Sequence, residues 1–493
     1  MPVDTVLASA LAETIASARP RLIGDDRPIR DLFHDSRDVT PGSGFVAIRG
    51  SVSDGHSHIP AACAAAANLV VVDHEVDTPC PQLVVDDTRR RMAELAAAVH
   101  GYPATRLKMV GVTGTNGKTT VTHMIESIIS AAGGTPGIVG TVGAHIAGAV
   151  VPQARTTPEA TDLHRLLAQM VDRGVTVAAL EVSSHALVYG RADAVVFDIA
   201  AFTNLSQDHL DFHGTMEQYY QAKAELFNPD RARQAVVWMG DPAGQRLVRS
   251  TELPTTTVGF GAAGSFDVSG EIVRRDHRRT EVMVHLGGRS TLTDLPVLGN
   301  FNAANALVAA AVTHQLGLGI EAIVAGLGAL STVPGRFEQV PNERGISVIV
   351  DYAHTPEAVA SAIAAAVEVG SRRVIAVVGS AGDRDRDKRV PMGAAAATAD
   401  FAIITSDNPR SEDPATLVEQ VLVGAGGVGE SVFAEVDRRA AIRRAFALAE
   451  PGDVVLILGK GHEPYQEFAD RTIVFDDRVV AAEELRAGGE GSQ

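Results

Sequence analysis

Short runs of Val, Ala and Ile recur along the chain at Asn68–Asp73, Lys108–Val112, Val175–Val182, Val195–Thr203 and Ala235–Met239. These runs are apolar throughout rather than alternating, the pattern of strands covered on both faces. Helix-compatible stretches, among them Lys118–Ala132 and Met216–Phe227, separate most of them. The alternation predicts an α/β protein with mainly parallel sheets. Between Thr255 and Val297 the pattern changes. Asp267–Val273 and Glu281–Leu286 alternate polar and apolar positions, which predicts half-buried antiparallel strands. Strand–helix alternation returns from Ile346, with strands expected near 346–350, 373–378, 401–405 and 453–458. Two boundaries follow, one near His100–Arg106 and one near Val333–Arg336, where Pro334-Gly335 closes a long Ala-rich helical stretch. Three α/β domains are expected, 1–105, 106–335 and 336–493, the last Rossmann-like. No repeat of fixed period is present, and the one low-complexity stretch is the tail Ala487–Gln493.

Composition narrows the classes. The 493 residues are 45% apolar, ample for several cores. Against 60 acidic residues stand 43 basic ones, a net charge of −17, which argues against nucleic acid as a partner. No segment approaches eighteen uninterrupted apolar residues, so no membrane span is expected. Met1–Ala18 carries Asp4 and Glu13 without a basic leader and does not read as a secretory signal. Cys63 and Cys80 are too few for a disulfide framework or a cysteine metal site, and both are expected as buried thiols in a reducing compartment. A soluble, cytoplasmic, multidomain protein is the expectation.

The strongest local signal is Gly111-Val-Thr-Gly-Thr-Asn-Gly-Lys-Thr-Thr120, between a predicted strand and a predicted helix. Glycines let successive backbone N–H groups curl around phosphate oxygens, assisted by the helix N-terminus. Val112 stands where a strict Walker pattern has glycine, so the loop is a variant. Gly111, Thr113, Gly114, Thr115, Asn116, Gly117, Lys118, Thr119 and Thr120 are the expected ATP contacts. Lys118 would reach the β- and γ-phosphates and Thr119 would offer its hydroxyl to Mg²⁺. Two more clusters follow predicted strands, Glu181-Val-Ser-Ser-His185 and Thr203-Asn-Leu-Ser-Gln-Asp-His-Leu-Asp-Phe-His-Gly214. Ligands of open parallel sheets sit at strand carboxyl ends, so all three should face one crevice. Glu181 with Thr119 suits Mg²⁺, which prefers oxygen donors. Taken alone, His209 reads as a hydrogen-bonding residue and Lys223 as a solvated helix lysine.

The order and spacing of Gly111–Thr120, Glu181–His185, Thr203–Gly214 and the Lys223 helix resemble the Mur ligases, the ATP-dependent amino-acid-adding enzymes of peptidoglycan synthesis. The resemblance implies that Lys223 is carbamylated by CO₂ and that this group, with His209, holds a second Mg²⁺, beside a first held by Thr119 and Glu181. It also gives catalytic roles to Lys118, Glu181, His209 and Lys223. Asn305, Arg336 and Asp351 match family positions that hold ATP. Asp35-Ser-Arg37 and Pro41–Gly50, otherwise an ordinary turn and loop, look like the uridine-nucleotide-binding domain of the third amino-acid-adding branch. Ser36 and Ser51 match contacts to UDP, and Arg155, Thr156, Thr157, Ser183 and Arg191 match contacts to the sugar-peptide part.

In the last third, polar loops follow the predicted strands: Asp351–Pro356, Gly379–Arg389, Ser406–Arg410 and Gly459–Glu463. A parallel sheet would place them along one rim. The signature Asp407-Asn408-Pro409-Arg410 resembles the branch that adds meso-diaminopimelate. A guanidinium can grip the far carboxylate of that amino acid with two hydrogen bonds. Lysine would leave such an arginine unpaired, a difference of roughly 10⁴-fold in sites of this kind. Arg384, Gly459 and Glu463 match the other diaminopimelate contacts, Glu463 facing an ammonium group. The resemblance thus implies a monomeric cytoplasmic ligase acting on UDP-MurNAc-L-Ala-D-Glu, meso-diaminopimelate and ATP. The rivals are the lysine-adding or dipeptide-adding branches, folylpolyglutamate synthase, a catalytically dead binding module and a nucleotide-dependent switch.

Overall fold

The computed structural model describes residues 5–50, 53–276 and 279–490. Ser51 lies outside the described residues. The centre is an eleven-stranded sheet. Its parallel part runs, in spatial order, Pro136–Gly140, Val177–Glu181, Lys108–Thr113, Ile199–Phe202, Ala235–Trp238, Thr255–Phe260 and Val268–Arg275. Antiparallel pairs close both edges, Gly143–Ile146 with Ala149–Val151 on one side and Thr280–Leu286 with Arg289–Leu295 on the other. The four strands around the middle are buried at every residue except Lys108, which explains their uninterrupted apolar runs.

Helices cover both faces. Val121, Met124, Ile125 and Ile128 of Lys118–Ala131 pack with Leu307 and Ala311 of Asn300–Gln315 against Val110 and Val112. On the opposite face Leu163, Leu167 and Met170 of Ala160–Asp172 meet Met109, Leu180 and Phe197. The strand Lys108–Thr113 is thereby fixed between two layers, and its carboxyl end delivers the glycine loop to the crevice.

Two smaller sheets flank the central one. In the N-terminal sheet Leu32–Phe33, Gly44–Val46, Leu69–Val72 and Gln82–Val84 run parallel, with Arg21–Ile23 antiparallel at one edge. In the C-terminal sheet Ser347–Asp351, Val454–Leu458, Val374–Ser380, Phe401–Ser406 and Val432–Ala434 run parallel beside a short antiparallel Glu338–Gln339. Among the described residues no helix is long and apolar enough to cross a membrane.

Three expectations change. Cys63 and Cys80 are not free thiols: they are joined as a disulfide with Cα atoms 6.0 Å apart. The helix Ile59–Ala64 and the turn before Gln82–Val84 bring them within bridging distance, which a spacing of 17 residues does not reveal. The run Val195–Thr203 is a regular strand only over Ile199–Phe202, because Asp198 turns its carboxylate back to accept from the Met109 N–H at 2.9 Å. Val268–Arg275 is antiparallel to one neighbour alone, since it also continues the parallel sheet beside Thr255–Phe260.

The C-terminal helix Asp477–Glu490 is anchored by a fully buried ion pair. Arg438 donates from Nε and Nη2 to the two Asp477 carboxylate oxygens at 2.8 and 2.6 Å, and from Nη2 to Leu458 O at 3.0 Å. Removing one partner leaves a buried charge unpaired. Asp477→Ala should therefore cost about 3–5 kcal/mol in denaturant unfolding, whereas removing the exposed Arg471–Asp470 pair should change stability by less than about 1 kcal/mol.

Candidate functional site

The glycine loop needs its glycines at two places above all. Gly114 has φ +148° and Gly117 φ +87°, and a Cβ at either would run into Thr203 Oγ1 or Asn305 Oδ1 respectively. Gly111 does something else: it lies inside the strand, where a Cβ would stand 2.9 Å from the Phe197 ring, so it serves packing. The loop is braced from the neighbouring strand end. Thr203 Oγ1 donates to Asn116 O at 2.6 Å, Asn204 Oδ1 accepts from the Asn116 N–H at 2.9 Å, and Asn204 O accepts from the Thr115 N–H at 2.9 Å. Beside the loop a cavity of about 220 Å³ is lined by Asn116, Gly117, Thr120, Asn305, Arg336 and Asp351, with Trp238, Phe301, Phe337 and Tyr352 supplying aromatic walls. Burial pushes the Asp351 carboxyl up, although Arg336 opposes the shift.

Lys118 donates to Gly114 O and Thr115 O, both at 2.8 Å. Lys223 also donates to Gly114 O at 2.8 Å, and its ammonium carbon chain is enclosed, the residue being 1% exposed. The expectation of a solvated helix lysine is therefore overturned: Met216–Ala224 turns this residue inward, onto Tyr219 and the loop. Burial, reinforced by the neighbouring Lys118, drives the Lys223 pKa well below that of an ordinary lysine. Burial likewise lowers Lys118.

Thr119 Oγ1 donates to Glu181 Oε2 at 3.0 Å and accepts from Arg336 Nη2 at 2.9 Å. Thr141 presents both its N–H, 2.8 Å from Glu181 Oε1, and its hydroxyl, 3.0 Å from Oε2. Thr119, Glu181 and Thr141 thus offer clustered hard oxygen donors, a set that fits Mg²⁺. His209 shares Tyr219 as a neighbour with Lys223, its ring 6.3 Å from the tyrosine ring and 4.8 Å from His185. Burial lowers His209 to about 3 and His185 to about 4, so both are neutral imidazoles at neutral pH, with lone pairs available.

A second cavity, about 900 Å³, is shared by loops of the central and C-terminal domains. It is lined by Arg155, Thr156, Thr157, Ser183, Arg191 and His209 on one side and by Arg384, Asp407, Asn408, Arg410, Gly459 and Glu463 on the other. Pro409 is not on the wall; its carbonyl packs where a side chain at Gly382 would go. Arg410 is held by Nε to Glu467 Oε2 at 3.0 Å and by Nη1 to Gly382 O at 2.7 Å. Asn408 Nδ2 donates to Glu463 Oε2 at 2.6 Å, and burial together with Asp407 raises the Glu463 carboxyl. Ser36 lines a third cavity of about 600 Å³, which Arg155 and Arg191 also border, so the two arginines connect it to the second. Arg89, Arg155 and Arg191 all converge on the buried Glu159, at 3.2, 3.6 and 3.0 Å.

Several residues with evident roles are not marked individually by the sequence, although two of them, Asp208 and Thr203, lie inside the Thr203–Gly214 cluster. Asp208, 4% exposed, faces Lys388 Nζ and His354 Nε2 of the C-terminal domain, each at 3.5 Å. Burial alone would raise its pKa, but His354, Lys388 and His209 outweigh that and hold it well below the carboxylate range. Thr141, Glu159, Arg89 and Thr203 are the others. Thr141 and Thr203 directly follow strands, whereas Arg89 and Glu159 stand at helix starts and carry no such signal.

A phosphate loop opening a helix at the carboxyl edge of a parallel sheet, under a second α/β domain that returns an arginine to that loop, defines a P-loop nucleotide-binding protein whose site is completed by a second domain. The comparisons are more specific. The Mur ligase middle domain matches residues 112–313, the Mur ligase glutamate ligase domain 335–461, and the Mur ligase family catalytic domain 28–100. A UDP-N-acetylmuramoyl-L-alanyl-D-glutamate–2,6-diaminopimelate ligase of Streptomyces coelicolor is 42% identical over 97% of this chain and 96% of its own. A solved structure of an enzyme of the same description superposes with a TM-score of 0.66 at 31% identity, covering 99% of this chain and 100% of that one. The MurF ligase of Thermotoga maritima in complex with ADP gives 0.68 at 19% identity over 93% and 98%, a likeness of fold. The chain belongs to the Mur ligase family.

Asp208 tests the coupling between the two halves of the site. Asp208→Asn should lower turnover at least tenfold with ATP affinity little changed, and scattering should report a more extended particle. Because the folded-state pKa is depressed, the wild-type contact is fully present above about pH 4 and is lost only as pH falls through the depressed value. A compact Asp208→Asn protein with normal turnover would contradict this role.

Proposed function

We propose that this chain is the ATP-dependent ligase that adds meso-diaminopimelate to UDP-N-acetylmuramoyl-L-alanyl-D-glutamate, acting as a cytoplasmic monomer with domains at 1–105, 106–335 and 336–493. The observation that carries the reading is the single 900 Å³ cleft that joins Arg155 and Arg191 to Arg384, Arg410 and Glu463 beside the phosphate loop. The full-length likeness to relatives named for that reaction supports it.

In this reading ATP lies with its base among Trp238, Phe301 and Tyr352, its phosphates along Asn116–Thr120, and Asn305, Arg336 and Asp351 around it. The UDP part enters the cavity bordered by Ser36, and Arg155, Thr156, Thr157, Ser183 and Arg191 lead the peptide toward the loop. The γ-carboxylate of D-glutamate attacks the γ-phosphate of ATP, giving an acyl phosphate and ADP. The amine of diaminopimelate then attacks the acyl carbon, and phosphate leaves as the amide forms. Two Mg²⁺ ions, one at Thr119 and Glu181 and one at His209 and carbamylated Lys223, would supply charge neutralisation to the phosphates. The protein supplies position. Lys118 moves from its loop carbonyls to the phosphates, Arg336 reaches the same point from the C-terminal domain, and neither requires reorganisation of the sheet.

The burial of Lys223 favours the carbamate. An amine must be neutral to attack CO₂, and both burial and Lys118 push it that way. The product would carry negative charge beside Lys118, where a second positive group is least welcome, and would offer oxygen donors to a Mg²⁺ held with His209. Diaminopimelate would meet Arg410 and Arg384 with its distal carboxylate and Glu463 with its ammonium. Asp407, Asn408 and Gly459 shape that pocket, and Pro409 holds Asn408 and Arg410 on its rim.

Phosphate release from ATP with UDP-MurNAc-L-Ala-D-Glu should require meso-diaminopimelate, with neither L-lysine nor buffer substituting. Turnover with lysine would overturn the role of Arg410, and turnover without any amino acid would favour a nucleotide switch. Lys118→Ala should cost roughly 10³-fold or more in kcat. Arg410→Ala should raise the KM for diaminopimelate by roughly 10²-fold or more while leaving ATP binding near normal. Lys223→Ala should be nearly inactive and partly restored by short carboxylates such as acetate; failure of every carboxylate would count against the carbamate.

A further inference from the structure

The helix Lys118–Ala131 carries a second constellation on the side away from the nucleotide cavity. His123, one turn beyond Thr119, is 8% exposed, and its Nδ1 lies 2.8 Å from Thr119 O. A carbonyl oxygen only accepts, so Nδ1 carries a hydrogen, and the lone pair of the neutral ring is on Nε2. That Nε2 is buried and has no hydrogen-bond partner. Buried polar atoms left unpaired are uncommon and call for an explanation.

Glu126 follows three residues later, on the same face of the helix. His145, from the edge strand Gly143–Ile146, brings its Nδ1 within 2.9 Å of Glu126 Oε1 and 3.1 Å of Oε2. The His123 and His145 rings meet edge to face at 5.1 Å. One ligand atom from each of the three residues lies within 4.8 Å of the others. A cavity of about 400 Å³ opens against His123 and Glu126 and is also lined by Thr135 and Ala147.

We propose that His123, Glu126 and His145 bind one Zn²⁺-class ion, at a site separate from those used by the nucleotide's Mg²⁺. Two imidazoles and one carboxylate suit Zn²⁺ and its first-row neighbours, whereas Mg²⁺ prefers oxygen throughout. The hydrogen bond from His123 Nδ1 to a backbone carbonyl is the support that orients a metal-binding ring and fixes its tautomer. In the ion-free protein a single hydrogen joins His145 to Glu126; the ion takes that place, and the cavity leaves room for water at the fourth position. Binding ties the phosphate-loop helix to the hairpin whose other strand, Pro136–Gly140, leads directly into Thr141 and its contacts with Glu181. A second cluster, His56, Asp73 and His74, is a weaker candidate. His56 Nδ1 is already bonded to Asp54 and His74 is exposed.

The test uses the full-length protein after chelator treatment, in excess Mg²⁺, titrated with Zn²⁺ by calorimetry and with Co²⁺ by visible absorption. The expected result is one saturable Zn²⁺ site, a Co²⁺ spectrum of a low-coordinate nitrogen–oxygen centre, and a rise in Tm with Zn²⁺. Glu126→Gln and His145→Gln should each weaken Zn²⁺ binding at least tenfold, keep the metal-free Tm and keep Mg²⁺-dependent turnover. His74→Gln should leave binding unchanged. Absence of saturable Zn²⁺ uptake, or uptake that survives both substitutions and is lost with His185→Gln, overturns the proposal. If His145→Gln does not fold, Glu126→Gln alone decides. The Zn²⁺ titration, the Co²⁺ spectrum and the Tm do not depend on which amino acid the ligase site takes, so the two readings fail separately.

Discussion

Two lysine side chains converge on one carbonyl oxygen: Lys118 and Lys223 each stand 2.8 Å from Gly114 O. Two ammonium groups cannot share so small a dipole in a buried place without an anion nearby, since the medium there screens charge poorly. The site therefore accepts negative charge or sheds positive charge, and the surrounding structure is arranged around that demand. The loop conformation that turns Gly114 O inward requires φ +148°, which only glycine adopts readily. The strand that delivers the loop is locked between two helix layers. Tyr219, whose hydroxyl lies 3.1 Å from Thr115 Oγ1, covers Lys223 and packs beside His209.

The same demand explains why the site is completed from another domain. Arg336 reaches Thr119 from the start of the C-terminal domain, while Asp208 reaches out to Lys388 and His354. One contact brings a cation to the phosphate end, and the other spends a buried carboxylate on holding the domains together. Completing the cleft from two domains also takes its inner polar groups out of water, so that charged contacts there count for more. Geometry of this kind makes turnover depend on contacts far apart in sequence.

That distance decides what could be read from the sequence. The strands were legible because both faces are covered, leaving uninterrupted Val and Ala, and the phosphate loop was legible because it is contiguous. The three-domain α/β architecture follows from the same patterns. Lys223 alone was not legible: Gln221-Ala-Lys-Ala-Glu225 is polar, and its burial comes from Tyr219 and a loop more than a hundred residues away. Only resemblance to a family singled it out. Asp208 and Lys388, 180 residues apart, form a pair that no local pattern can contain. The Cys63–Cys80 bridge was misread for a similar reason, because two cysteines carry no framework signal until the fold brings their Cα atoms together.

Net charge gives the remaining step. A chain with a charge of −17 should repel substrates that bear phosphates and carboxylates. The arginines around the clefts reverse that locally, but they are not simply exposed cations. Arg89, Arg155 and Arg191 are gathered on Glu159, and Arg410 is steered by Glu467. Each carboxylate fixes the direction of a guanidinium before substrate arrives, which removes ordering cost from binding. Each also lowers the net positive charge, so recognition rests on directed hydrogen bonds more than on attraction at a distance. Such a site should discriminate by where the carboxylates of a substrate fall, not by how many it carries. That is the distinction between two amino acids alike except for one distal carboxylate.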